Sequence, residues 1–86
     1  MTEKIVGVLG GMGPEATVDF FAKVIALTTA KRDQDHLRII IDNNPKISDR
    51  TKAILTEDGT LVPMLVETGK NLEKAGVEFI AIPCNT

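Results

Sequence analysis

Apolar residues along this chain follow two patterns, short unbroken runs and longer stretches in which they recur every third or fourth place. The unbroken runs are "KIVGVL" over 4–9, "LRIII" over 37–41 and "VEFIAI" over 77–82, each of strand length and rich in β-branched residues, which predicts three strands. Between the first two runs, Phe20, Phe21, Val24, Leu27 and Thr28 share one face of a helix over about 16–29. Pro14 suits its first turn, where a missing N–H costs nothing, and Glu15 suits the positive end of its dipole. Leu61, Leu65, Thr68, Leu72 and Ala75 form a second stripe, predicting a helix over about 60–75 that Gly76 closes. Pro63 lies in its first turn and leaves it intact.

The remaining segments are punctuation. "AKRDQDH" over 30–36 is a polar connection, and "DNNPKISDRTKAI" over 42–54 is rich in residues that compete for backbone hydrogen bonds, so it reads as a loop of functional length. The predicted order is β-α-β-α-β. Strands apolar on both faces indicate a parallel sheet covered by helices on both sides, hence the α/β class. Three strands are few for such a sheet, and the unit is expected to be an incomplete part of a larger fold.

Composition narrows the partners. Hydrophobic residues make up 43% of the chain with three Phe and no Trp or Tyr, so the core is aliphatic. A net charge of -2 provides no basic field for a phosphate backbone, and the scarcity of aromatics leaves no stacking platform, which argues against nucleic acid. No apolar run approaches the roughly 20 residues needed to span a bilayer, so no membrane partner is expected. "MTEKIVGV" does not read as a signal peptide, and the single cysteine cannot form an internal disulfide; the expected location is cytoplasmic.

In a parallel sheet, ligands bind outside the carboxyl ends of the strands. Three loops leave those ends here, "GGMGP", "DNNPKISDR" and "PCNT", and topology brings all three to one edge. "GMGPEA" fits the loose dinucleotide pattern and Asp42 stands where a ribose would be met, but Pro14 removes a donor that a pyrophosphate would use. The glycines also fit a plain tight turn. Asp49 and Arg50 read either as a solvated surface pair or as a guanidinium, oriented by Asp49, that binds a carboxylate through two hydrogen bonds. Cys84 reads either as a small buried hydrophobe or as an acid/base, because N–H dipoles at a strand end favour the thiolate. Asn85 and Thr86 follow it as capping residues and donors to a carboxylate. His36 reads as solvated surface, and no spacing suits a metal.

Taken together, "GVLGGMGPEAT" (7–17), "DNNPKISDRT" (42–51) and "IPCNT" (82–86) resemble the leading part of the aspartate/glutamate racemase family, the cofactor-independent amino-acid racemases. The resemblance implies two similar α/β domains facing each other across a cleft, each contributing one catalytic cysteine. It implies that residues 1–86 belong to the first domain, that Cys84 is its thiol, and that Asn85 and Thr86 hold the substrate α-carboxylate. Met12 would line the pocket, and Arg50 with Asp49 behind it would bind the side-chain carboxylate of an acidic amino acid. Ser48 stands where the family commonly has proline, which loosens the segment that carries Arg50. No cofactor or metal is implied.

A second cysteine is not among these residues, so the chain is expected to be a piece of a longer enzyme. Uncovered sheet edges and helix faces favour association, and a homodimer is the expected full-length state. Two other readings stand beside the racemase: a small non-catalytic module that binds a carboxylate or nucleotide, and a fragment inactive on its own.

Overall fold

The computed structural model describes residues 4–47 and 61–83. Their first element, β1 (Ile5–Gly10), is the central strand of a three-stranded sheet. Helix α1 (Pro14–Leu27) leads to β2 (Arg38–Asn43), and helix α2 (Leu61–Lys74) leads to β3 (Phe79–Ala81). The strand order is β2-β1-β3, and both pairings are parallel. Such pairing puts all three carboxyl ends on one edge of the sheet.

Adjacent residues of a strand point to opposite faces. Leu9 packs against Leu72 of α2, while a side chain at the neighbouring Gly10 would meet Thr17 of α1. The two helices therefore cover opposite faces, as the double-sided apolar runs predict. The core lies on the α2 side, where Leu9, Met12, Ile47 and Leu72 are buried together and Ile40, Met64, Leu65 and Val77 pack around them. Each such aliphatic side chain contributes about 1.5–3 kcal/mol when fully buried. Gly76 ends α2 as expected, with φ +92°, and its N–H reaches the Glu73 carbonyl at 3.0 Å.

Helix α1 is rotated from its predicted face. Thr17 is buried and Phe20, Val24 and Thr28 are half-buried, whereas Phe21 is exposed and Leu27 is 84% exposed. The Thr17 hydroxyl turns inward because the Gly11 N–H donates to it, and that bond fixes the helix about its axis. In α2 the expected stripe holds at Thr68 and Leu72, with Leu65 half-buried, but Ala75 is exposed.

Other differences lie at element ends. β2 continues to Asn43 because the ladder against β1 runs on, with Gly10 opposite Asn43 and the Asn44 N–H donating to the Gly10 carbonyl at 2.9 Å. What reads as uniform loop after Asp42 therefore begins as strand and then makes a 3-10 turn at Pro45–Ile47. β3 pairs over only three residues, and the polar connection holds a second 3-10 turn at Asp33–Asp35.

Candidate active site

The first two strand-end loops meet in space. After β1 the chain turns at Gly11, with φ +112°, and passes so close to Asn44 that a side chain at Gly11 would lie inside the Asn44 backbone. Only glycine fits there without strain. The turn is pinned from the other side by Thr17, 4% exposed, whose Oγ1 accepts the Gly11 N–H at 3.0 Å. Met12 follows, buried against Leu9, Ile47 and Leu72, and its side chain anchors the loop to the core. Helix α1 then starts at Pro14 with no side-chain cap on its first turn, leaving its positive end at this edge.

Replacing Gly11 by alanine should cost about 2–4 kcal/mol, combining left-handed strain with overpacking against backbone that cannot give way. Urea unfolding of the 86-residue chain measures it. A loss under about 1 kcal/mol would mean that the two loops do not approach this closely.

The second loop is organised by Asn44. Its N–H continues the sheet ladder, its Oδ1 accepts the Lys46 N–H at 3.0 Å, and its carbonyl accepts the Ile47 N–H at 3.3 Å. Its Nδ2 donates at 3.0 Å to Oγ1 of Thr68, which in turn donates to the Met64 carbonyl at 2.9 Å. Thr68 is 1% exposed. This one asparagine ties β1, the 3-10 turn and α2 together at the sheet edge.

Of the residues singled out from the sequence, Met12 is placed by the structure; Asp49, Arg50, Cys84, Asn85 and Thr86 lie outside the described residues. Their sequence neighbours reach the same edge. Ile47, just before Asp49 and Arg50, is buried beneath the first loop, and counting on from the Val8–Ala81 pair makes Pro83, just before Cys84, level with Gly10. The sequence reading missed Asn44, Thr17 and Thr68 as site builders. The available signals were an Asn-Pro step after a strand and, for Thr68, a hydroxyl within the apolar stripe of the second helix; Thr17 lies outside the stripe counted for the first.

This edge can be compared with known proteins. The family profile described as Asp/Glu/hydantoin racemase matches residues 9–86. The chain belongs to that family. It is 36% identical over 88 residues to the broad specificity amino-acid racemase RacX of Bacillus subtilis (strain 168), covering 95% of this chain and 37% of RacX. Its fold matches that of the Picrophilus torridus aspartate racemase with a TM-score of 0.84 and 42% identity, covering 92% of this chain and 34% of that one. The racemase family member described here thus spans little more than a third of the length of these two relatives. Among the described residues, no helix is long and apolar enough to cross a membrane.

Two of the donors that the dinucleotide pattern in the first loop would offer a pyrophosphate are missing here. In this family member the Gly11 N–H is already bonded to Thr17, its α-carbon is packed on Asn44, and Pro14 has no N–H to give.

Proposed function

We propose that this chain supplies one side of the active site of an amino-acid racemase acting on aspartate or glutamate without pyridoxal phosphate or a metal. The observation that carries this reading is the match of residues 9–86 to the racemase family, together with the meeting of its first two strand-end loops at one edge. Racemisation removes a proton from one face of the α-carbon and delivers another to the opposite face. In the proposed reaction, the Cys84 thiolate takes the α-proton while a thiol on the other face gives one up, and the roles exchange in the reverse direction.

Asn85, Thr86 and the open first turn of α1 would stabilise the α-carboxylate as negative charge spreads from the α-carbon. Met12, whose side chain is buried against Leu9, Ile47 and Leu72, would hold the first loop in place from the core side, with its backbone facing the pocket it is expected to line. Arg50, oriented by Asp49, would bind the side-chain carboxylate of the substrate. RacX is named for broad specificity and the Picrophilus torridus enzyme for aspartate, so the acidic preference rests on Arg50. Association into a homodimer is part of the same proposal, favoured by the exposed Val18, Ile25 and Leu37.

The test is a chimera in which residues 1–86 replace the matching third of the Picrophilus torridus aspartate racemase. It should racemise L-aspartate or L-glutamate in deuterated water, with deuterium entering the product α-position. No turnover of either would overturn the proposal. In the same chimera Arg50→Lys should raise KM for aspartate roughly tenfold or more, because a point charge cannot replace two parallel hydrogen bonds. An equal loss for alanine would show that Arg50 does not read the side-chain carboxylate.

A further inference from the structure

Thr68 is an odd residue for its place. It sits in the most buried position of the α2 stripe, one turn from Leu72, where an aliphatic side chain would fill the same space without a polar atom to satisfy. Its hydroxyl is fully used, accepting from Asn44 Nδ2 and donating to the Met64 carbonyl. Asn44, in turn, spends its backbone and side chain on β1 and on the 3-10 turn at Pro45–Ile47. Asn44 thereby joins all three elements by hydrogen bonds, and all of them border the edge where the first two loops meet.

We infer that Asn44, held by Thr68, is a positioning residue that fixes the first and second strand-end loops relative to each other for the reaction proposed above, on which this inference rests. The physical basis is rigidity. The Gly11 backbone lies on the Asn44 backbone, so any rotation of Asn44 displaces the first loop, and the same rotation breaks the bonds that shape the 3-10 turn. A rotation of that kind is opposed by the Asn44–Thr68 bond, which anchors the amide to the core helix. A small misplacement of groups that must flank one carbon is costly in rate.

Thr68→Val keeps the shape and removes the hydroxyl; Thr68→Ser keeps the hydroxyl and removes a methyl. In the chimera, Thr68→Val should lower kcat/KM for L-aspartate roughly tenfold, and Thr68→Ser should restore it to within about twofold. Asn44→Asp, which removes the donor and leaves the helix core untouched, should match Thr68→Val. In the 86-residue chain itself, amide exchange at Lys46 and Ile47 should quicken about tenfold in Thr68→Val and stay near the parent rate in Thr68→Ser. Lowered thermal stability with unchanged kcat/KM in Thr68→Val would overturn the positioning role, as would unchanged exchange at both amides. An unsubstituted chimera without Cys84-dependent racemisation would overturn the functional reading instead. A chimera that depends on Cys84 but is indifferent to Thr68→Val and Asn44→Asp would overturn this inference alone.

Discussion

Cys84→Ala in the chimera should abolish racemisation of aspartate, with a fall of about 10²–10⁴-fold or more in kcat, the range associated with losing a positioned acid/base. The sulfur is the only atom of that side chain with acid/base capacity, and alanine leaves the backbone of the strand-end loop unchanged. With one thiol left, a proton can leave and return on one face only. Any deuterium still taken up should therefore appear in substrate of retained configuration, and only from the enantiomer whose α-proton faces the remaining thiol. Chiral chromatography and proton NMR of the same sample separate the two processes. Racemisation within about tenfold of the parent would remove Cys84 from the proton transfer and leave the family relationship without its proposed chemistry.

Much of this edge is legible in the sequence because its causes are local. "KIVGVL" makes the central strand, since a run apolar on both faces has nowhere else to go. "GGMGP" makes the turn into α1 because only glycine takes the conformation at Gly11 and proline suits the first helical turn. The parallel β-α-β order then brings the loops together without further information. What the sequence does not carry is pairwise and distant. Asn44 and Thr68 are 24 residues apart, and nothing in the sequence pairs one with the other. The rotation of α1 follows from a bond between Gly11 and Thr17 that no periodicity contains, so a stripe counted by hydrophobicity misses it. β3 is shorter than its apolar run because a strand ends where its partner stops pairing with it, and the partner ladder stops at Ala81.

Exposed apolar side chains tell the same story at the surface. Phe79 and Ile82 lie on or beside the edge strand β3, and Val18, Phe21 and Ile25 line the outer stripe of α1. The apolar pattern predicts Phe21, Phe79 and Ile82 to be buried, and all three are exposed, whereas Val18 and Ile25 lie outside the predicted stripe. The chain covers 37% of RacX and 34% of the Picrophilus torridus aspartate racemase.

The 86-residue chain by itself should not racemise aspartate or glutamate, even with Cys84 intact. It contains one cysteine, so it offers one thiol to a reaction that needs a group on each face of the α-carbon. Loss of the opposing acid should cost about 10²–10⁴-fold. The loss compounds with an open edge, because water admitted beside the α-carbon screens the donors that would stabilise the developing carbanion. Incubation of the purified chain with L-aspartate and with L-glutamate in deuterated water, followed by optical rotation and α-deuterium content, measures both inversion and exchange. Inversion at an ordinary enzymatic rate would contradict a two-thiol mechanism, except where two copies bring their Cys84 thiols to opposite faces of one substrate. Mixing the parent chain with Cys84→Ala identifies that case. If a thiol from each copy is needed, an excess of the alanine variant should suppress activity by drawing parent chains into mixed pairs, whereas activity carried by single chains should be unaffected by the added variant.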